Sequence, residues 1–302
     1  MLLFKENYSV LLRRYIKFAP APLALLILAL NPQTGSAQKT ERTPEQPQTT
    51  ETPKKVTAPK SGAEFTADQI TEGVILAYGT RPGLEQIRRN GLERGRMTRI
   101  GTDGRTEEAS YERRFIRGAS AEKDKVRLDQ KLPTIEYSLV YGDGRMWGII
   151  NGSAFTPRED ATTEFQSQLW HGLDALLRYK ENGSTVALGG KEKQLGVEYY
   201  VIDLTDKEKR RTRYYISTRT LRVMWLEYEE TARGAGLAPT KYMRRFYDYR
   251  LAQGTLVPYR TVFFEDGKQT QETRVMTVTY GIKMEESLFQ NPDAPRTATA
   301  SQ

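Results

Sequence analysis

Cysteine is absent from the 302 residues, and histidine occurs once, at position 171. A chain without cysteine forms no disulfides, holds no thiolate zinc site and carries no cysteine-linked lipid, so its fold must rest on its apolar core. Nucleophilic catalysis needs a base beside a Ser or Cys, and His171 is accompanied by no G-x-S-x-G elbow and no complete phosphate loop. We therefore expect no enzymatic activity, no metal and no other cofactor, and we interpret His171 as a partly exposed structural residue.

Long apolar runs are also scarce, and the clearest one lies near the start of the chain. Four basic residues precede or adjoin residues 18–30, a run of thirteen apolar positions, and small residues end at Ala37. A membrane-spanning helix needs about 20 apolar residues, so the pattern predicts a secretory signal peptide, residues 1–37, cleaved after Ala37. The mature chain would be periplasmic. Its net charge would fall from +8 to +5, which favours contact with an anionic membrane surface over nucleic acid.

Two further segments are too polar to form a core. Residues 38–63 are rich in Thr, Pro, Gln, Glu and Lys and contain no aromatic residue, and residues 294–302 have a similar composition. Such segments cannot bury enough apolar surface to offset the entropy of ordering them. We predict a disordered tether at 38–63, a disordered tail at 294–302 and a single domain at 64–293.

Helical periodicity occurs in two segments of this domain. The first, ADQITEGVILAYG, has a candidate N-cap at Thr66 and stop signals at Gly79 and Pro82. The second, ATTEFQSQLWHGLDALLRYKENG, is predicted to be one helix that ends at Asn182-Gly183. The apolar faces of these helices would consist of Ile70, Val74, Ile75 and Tyr78 in the first and Phe165, Leu169, Leu173, Leu176 and Leu177 in the second.

Most of the remaining domain alternates with period two, which is typical of β-strands. IEYSLVY and RMWGII flank a Gly-Asp-Gly turn and predict a hairpin. Counted from residue 90 onward, and with this hairpin included, the pattern predicts about ten strands. In LRVMWLEY the alternation puts Val223 and Trp225 on one face and Met224 and Leu226 on the other. We predict an α+β fold, a large curved antiparallel sheet forming a half-open β-barrel whose concave face is covered by the helices.

Aromatic and methionine side chains recur along these strands. Ordinary core packing explains any one of them, but together they predict a cavity for apolar ligands of variable shape, because such side chains repack easily. We expect the cavity to be lined by inward-facing strand residues and by two residues of the second helix. The strand residues are Tyr137, Leu139, Tyr141, Trp147, Tyr200, Ile202, Met224, Leu226, Phe246, Tyr259 and Phe263, and the helix residues are Trp170 and Leu173.

The C-terminal strands contain a distinctive order of motifs. GVEYYVIDL is followed by RYYIS and TRTLRVMWLEY, then by YDYRLAQGTLVPYR, and the last strand leads to ESLFQNP. Upstream, YGDGRMWG places an Asp-Gly turn before a Trp. In this order the chain resembles the outer-membrane lipoprotein carrier and lipoprotein-sorting family, the LolA-like proteins, over residues 68–293.

The resemblance implies a half-open barrel that holds acyl chains under a helical lid. It implies a soluble, monomeric periplasmic carrier or chaperone for envelope lipoprotein sorting and outer-membrane biogenesis, acting without chemistry. Its partners would be lipoprotein acyl chains or lipid, with the anionic membrane surface and envelope transport proteins as further contacts. It also implies an arginine that locks the lid, which the motifs do not assign to one position.

Pro258 interrupts the most apolar run of the C-terminal strands, after the turn at Gln253-Gly254-Thr255. Proline cannot donate a hydrogen bond to a neighbouring strand. In a strongly curved sheet of this kind we expect Pro258 at a bulge or a strand edge, where its missing N–H is not needed.

Eight arginines lie close together in the predicted sheet. Five are clustered about the turns that join three strands, and three lie on the next strand: Arg210, Arg211, Arg213, Arg219 and Arg222, then Arg244, Arg245 and Arg250. We expect most of them on a solvated outer face. The alternative for one or two is that they reach inward and hydrogen-bond lid backbone or a lipid head group.

Two other functions remain open from the sequence. The same fold could serve as a non-catalytic protein-binding or lipid-sensing module in envelope-stress signalling, positioned by the tether. A cavity substitution would abolish lipid retention by a carrier, whereas a substitution on the convex face would abolish partner capture by such a module. A secreted hydrolase would require His171 to be indispensable for turnover.

Overall fold

The structure, a computed structural model, describes residues 64–231 and 238–293, without the side chain of residue 160. The predicted signal peptide, tether and tail lie outside the described residues. Among the described helices none has the length and apolar character needed to cross a lipid bilayer.

The first predicted helix, α1 (Ala67–Tyr78), has the expected boundaries. The Thr66 hydroxyl accepts from the Gln69 N–H at 3.2 Å, and the Gln69 side chain accepts from the Thr66 N–H at 2.9 Å, which is a capping box. Gly79 ends the helix with φ +137°, a conformation that favours glycine. The prediction that Pro82 is a second stop signal is wrong. Pro82 lies in the first turn of the next helix, α2 (Arg81–Ile87), where its missing N–H breaks no helical hydrogen bond.

The second predicted helix is two helices, α3 (Glu159–Trp170) and α4 (Leu173–Leu177). Gly172 separates them in an extended conformation with ψ 177°. The hydroxyl of Tyr214, a residue of the sheet, donates to the Gly172 carbonyl at 2.9 Å. In a continuous helix that carbonyl would accept from a backbone N–H of the next turn. The single-helix prediction is wrong because glycine is a poor helix former and this tertiary contact decides the local structure.

Thirteen strands form one antiparallel sheet in the described residues, more than the ten expected. The strands are β1 (Asn90–Ile100), β2 (Thr106–Ile116), β3 (Lys125–Lys131), β4 (Glu136–Gly142), β5 (Arg145–Ile150), β6 (Ser153–Phe155), β7 (Thr185–Gln194), β8 (Val197–Thr205), β9 (Arg211–Ser217), β10 (Val223–Glu230), β11 (Thr240–Ala252), β12 (Thr255–Glu265) and β13 (Lys268–Tyr280). Short 3₁₀ helices occur at Ala121–Lys123 and Glu286–Phe289.

The strand order is β6-β5-β4-β3-β2-β1-β13-β12-β11-β10-β9-β8-β7. Neighbouring strands in this order are also neighbours in sequence, with one exception. That exception is the pair β1–β13, whose register runs from Gly91↔Tyr280 to Arg99↔Gln271. Strands β6 and β7 are the two edges, so the sheet is not closed. The predicted hairpin is confirmed as β4–β5. Its two turn residues, Asp143 and Gly144, have φ +52° and +71°, as the favoured two-residue hairpin turns require.

Pro258 lies in β12, opposite Tyr249 of β11. The ladder between β12 and β13 runs only from Arg260↔Arg274 to Glu265↔Lys268. Pro258 therefore lies beyond the end of that ladder, where β13 has turned to pair with β1, and on this side its missing N–H removes no hydrogen bond of the ladder.

A bulge in β10 changes which residues share a face. Val223 pairs with Ile216 and Trp225 with Tyr215, so Met224 is an extra residue between them. The alternation predicted for LRVMWLEY is therefore wrong: Val223 and Leu226, both 0 % exposed, share one face, whereas Met224 and Trp225 pack on the other.

Three apolar clusters result. The helix-packed core joins α1, α2 and α4 to strands β8–β12 and includes Tyr78, Leu176, Ile202, Tyr214 and Leu226. The cavity-side cluster joins α3 to β2–β5 and the β12–β13 region and includes Phe115, Val126, Leu139, Tyr141, Phe165 and Tyr280. The outer aromatic cluster consists of Val201, Tyr215 and Trp225 with Tyr199, Met224 and Met243 against them.

Candidate ligand cavity

A cavity of about 240 Å³ lies between the helices and the sheet. Phe165 and Leu169 of α3 and Leu173 of α4 line it on the helix side. Hydrocarbon is the ligand chemistry that such a lining fits. The apolar side chains that line it from the strands are Met97, Tyr111, Phe115, Val126, Leu128, Phe246, Val257, Pro258, Phe263 and Val275.

The sheet must be rolled to form this cavity. Leu128 belongs to β3 and Phe263 to β12, and three strands lie between them. In a flat sheet the two strands would be about 19 Å apart at the usual spacing of ~4.8 Å, yet both side chains line the same small space. The helices therefore occupy the concave face of a half-open barrel.

One wall of the cavity is polar. The carboxylate of Asp174 in α4 forms an ion pair with Arg117 at 2.5 Å and lies 3.7 Å from the Arg88 guanidinium. Burial alone would raise the pKa of the Asp174 carboxyl, but the charges of Arg117 and Arg88 hold that pKa well below its usual range. Arg178 donates to Asp124 at 2.7 Å and to the Gly118 carbonyl at 2.8 Å.

Arg244 of β11 contacts the end of α3 from the sheet. It is 6 % exposed, and its Nη1 and Nη2 donate to the carbonyls of Gln168 at 3.2 Å and Ser167 at 3.3 Å. These carbonyls belong to the last turn of α3, where a positive charge is favourable. The alternative that one of the eight clustered arginines reaches inward is therefore confirmed at Arg244. Arg245, the next residue, lies over the ring of Trp225 in the outer aromatic cluster, 6.0 Å from the ring centroid.

His171 is more buried than we predicted. It is 2 % exposed, its Nδ1 lies 2.6 Å from the Thr212 hydroxyl, and its ring stacks on Tyr228 at 4.0 Å. Burial, with the charges of Arg244 and Arg210, lowers its pKa to about 3. A neutral imidazole enclosed by the sheet at the end of α3 has a structural role, so the expectation of partial exposure is wrong.

The predicted lining residues separate into groups. Leu173, Phe246 and Phe263 line the cavity itself. Leu139 and Tyr141, with Tyr137 and Tyr259 at the margin, belong to the cavity-side cluster. Ile202 and Leu226, with Tyr200 at the margin, fill the helix-packed core.

Three other predicted residues lie elsewhere. Met224 belongs to the outer aromatic cluster because of the β10 bulge. Trp170 lies beneath the Arg210 guanidinium, 3.9 Å from the ring centroid. Trp147 faces Gly142, and its Nε1 is buried without a hydrogen-bond partner among the described residues.

Strands β1–β3 supply much of the wall that sequence reasoning missed. Met97, Tyr111, Phe115, Val126 and Leu128 line the cavity from these strands. The available signal was that Tyr111 and Phe115 of β2, and Val126 and Leu128 of β3, are an even number of residues apart and so share one face of their strand. It was obscured because charged residues share the inward face: Glu93, which accepts from the Tyr111 hydroxyl at 2.7 Å, and Arg113 also line the cavity.

No known protein-family model matches the sequence, and no curated protein matches it by sequence. Solved structures do match. A LolA superfamily protein from Nitrosomonas europaea covers 75% of this chain and 98% of its own, at 11% identity and a TM-score of 0.52. The chain has the LolA-like fold.

Two further structures agree with this assignment. A DUF1329 family protein from Desulfovibrio piger matches at 12% identity and a TM-score of 0.53, covering 74% of this chain and 97% of its own. A putative outer membrane lipoprotein-sorting protein domain from Vibrio parahaemolyticus matches at 10% identity and a TM-score of 0.50, covering 74% and 95%. The LolA-like resemblance predicted from the motif order is confirmed as a resemblance of fold.

Proposed function

We propose that this protein is a periplasmic carrier or chaperone that binds acyl chains of lipoproteins or lipids in the cavity under α3. The observation that carries the proposal is the apolar cavity between α3 and the rolled sheet. Each buried CH₂ group of an acyl chain contributes ~0.8 kcal/mol to binding. A lining of aromatic and aliphatic side chains supplies that free energy without fixing the ligand's identity.

Binding a whole acyl chain requires α3 to move. The cavity of about 240 Å³ is smaller than the ~300–1,000 Å³ of ordinary small-molecule sites. Two apolar side chains, Phe165 and Leu169, pack α3 against the cavity-side cluster, and Arg244 binds its last carbonyls. We therefore assign α3 as the lid and Arg244 as the residue that holds it closed.

The cellular role follows from the predicted export signal. A cleaved signal peptide would release the chain into the periplasm, where a non-catalytic monomer could take an acylated cargo from one membrane to another. Its positive net charge would favour anionic membrane surfaces and thereby contact with envelope transport proteins.

The test is native mass spectrometry of the mature chain with displacement of a fluorescent acyl probe. Leu128 lines the cavity, so Leu128→Trp should fill it and weaken probe binding at least about tenfold. Leu251 is 73 % exposed, so Leu251→Trp adds the same bulk outside the cavity and should bind like wild type. A protein that carries no lipid from its periplasm and binds no acyl probe contradicts the proposal.

The outer aromatic cluster favours the protein-binding alternative. Tyr215 stacks on Trp225 at 4.2 Å and Tyr199 contacts Trp225 edge-on at 4.8 Å, on the face opposite the helices. Tyr215 and Trp225 are themselves buried, so a partner would contact the partly buried Tyr199, Met224 and Met243 that pack against them; aromatic residues and arginine are enriched at the centres of protein interfaces. If this function is the correct one, Tyr199→Glu abolishes binding of a partner domain and Leu128→Trp leaves it unchanged.

A further inference from the structure

A second cavity, of about 350 Å³, lies beside the first and is dominated by arginine. We call it the arginine cleft. It lies between α2, α4 and the loop that follows β2, and Leu84 and Leu177 are its apolar members besides Ala119. Its basic side chains are Arg81, Arg88, Arg89, Arg117 and Arg178.

Two of these arginines are fully engaged with other groups. Arg81 binds Glu181 at 2.6 Å and Glu72 at 2.8 Å. Arg178 uses its two terminal nitrogens on Asp124 and the Gly118 carbonyl. Each terminal nitrogen of these two guanidinium groups already has an acceptor, and each of the two charges is balanced by a carboxylate.

The other three have unused capacity. Arg88 and Arg117 share the single carboxylate of Asp174, and the Nε atoms of both are buried without an acceptor among the described residues. Arg89 is exposed at the rim, and no carboxylate of the described residues forms an ion pair with it. Buried guanidinium donors normally have partners, so this site has donors available for an anion.

The cleft also has an excess of positive charge. Arg81 is balanced by Glu181 and Glu72, and Arg178 by Asp124. The other three arginines face only the carboxylates of Asp174 and Glu85 in the cleft, which leaves one positive charge. Burial, followed by the charges of Arg88 and Arg178, lowers the pKa of Arg117 even though Asp174 opposes this. An incoming anion would relieve that repulsion.

The two cavities have a common wall. Arg88, Arg117, Asp174 and Arg178 line both. An anion held by Arg88 and Arg117 would therefore lie next to the space that we assign to acyl chains. A ligand with a charged head and an apolar tail would fill both sites at once.

We propose that the arginine cleft binds a phosphate group, with Arg88, Arg89 and Arg117 as its donors, so that the cargo is an anionic amphiphile whose phosphate lies in the cleft and whose acyl chain lies in the cavity. Guanidinium forks match phosphate oxygens geometrically. The acyl part of this inference rests on the proposed function.

The experiment compares two probes with the same acyl chain. The mature protein is titrated calorimetrically with lysophosphatidylglycerol and with the neutral monoacylglycerol, each below its micellar concentration, and then with inorganic phosphate alone. We expect the phosphate-bearing lipid to bind at least about tenfold more tightly than the neutral one, since charged hydrogen bonds are the strong ones.

Two variants and a control test the residues. Arg89→Gln removes an exposed donor, and Arg117→Gln removes a buried donor while Arg88, 3.7 Å from Asp174, still balances that carboxylate. Both should abolish the preference for the phosphate-bearing lipid. Arg89→Gln, whose side chain does not line the acyl cavity, should also keep binding of the neutral lipid, which shows that the cavity is folded. Arg219→Gln removes one exposed positive charge outside the cleft and should preserve the preference.

The outcomes separate the two proposals. Equal affinity for both lipids in the wild-type protein overturns the phosphate site and leaves the acyl carrier standing. If neither lipid binds but inorganic phosphate binds and Arg89→Gln weakens it, the phosphate donors stand and the carrier fails; if phosphate does not bind either, both fail. Where the lipid preference is present, competition by inorganic phosphate indicates a general phosphate site, and lack of competition indicates a lipid head-group site.

Discussion

The concave face of this protein has two halves that are packed differently. In the helix-packed core ten side chains are at most 1 % exposed, among them Tyr78, Ile202 and Leu226. The most buried member of the cavity-side cluster, Val126, is still 2 % exposed, and as many members are partly buried as are buried. One half holds the fold together. The other half leaves space, and this is the space that we propose for a ligand.

The largest expected effect tests this difference directly. Leu226→Ala in the helix-packed core should lower the free energy of unfolding by about 3–5 kcal/mol, because it leaves a cavity in a filled interior. Leu169→Ala in α3 should lower it by only about 1–2 kcal/mol, since that side chain already borders open space. Urea denaturation of both variants measures the two values. Equal losses would show that the halves are packed alike.

A smaller effect is expected at the junction of the halves, where His171 ends α3. Its pKa is lowered from 6.5 to about 3, so the unfolded chain binds a proton that the folded chain does not. Stability is therefore retained above pH 6.5 and lost as the pH falls toward 3, by on the order of 2–3 kcal/mol, with Glu230 at 3.7 Å limiting the loss.

The variant His171→Phe isolates this contribution. Phenylalanine can still stack on Tyr228 but cannot take up a proton. Its unfolding free energy should be lower at neutral pH and should change less than that of wild type between about pH 6.5 and 4. Parallel pH profiles for the two proteins would exclude His171 as the titrating group.

The smallest effect on stability concerns Arg244. Arg244→Met keeps a long apolar side chain beneath Phe263 but removes the hydrogen bonds to α3, and should cost about 1 kcal/mol. In the carrier that we propose, ligand binding requires α3 to open, so the same change should raise the affinity for an acyl probe about five- to tenfold. Arg245→Met, on the outer face, should leave the affinity unchanged. Weaker probe binding by Arg244→Met would mean that Arg244 contacts ligand instead of holding the lid.

Local signals in the sequence were sufficient for part of this architecture. The Thr66 cap and the Gly79 stop define α1, and the Asp143-Gly144 turn defines the β4–β5 hairpin, because each depends on a few adjacent residues. The motif order was sufficient for the fold.

The features that failed depend on contacts distant in sequence. Tyr214 ends α3 by binding Gly172, and the β10 bulge moves Met224 to the outer face. The arginine cleft joins residues of α2, α4 and the loop after β2. Contacts of this kind join separate elements, and the periodicity of a single segment does not predict them.

The pairing of β1 with β13 also has a consequence for how the chain folds. All other neighbours in the sheet are adjacent hairpin strands, which close short loops, whereas Gly91 and Tyr280 are separated by most of the described sequence. Closing that loop costs the most chain entropy, so we expect its contacts to form last. Strands β1–β6 and strands β7–β13 can each assemble from local pairings, and the two groups then join where β1 pairs with β13. The first cavity takes its lining from β1–β3 as well as from β11–β13, so we expect it to be complete only when the whole domain has been synthesised.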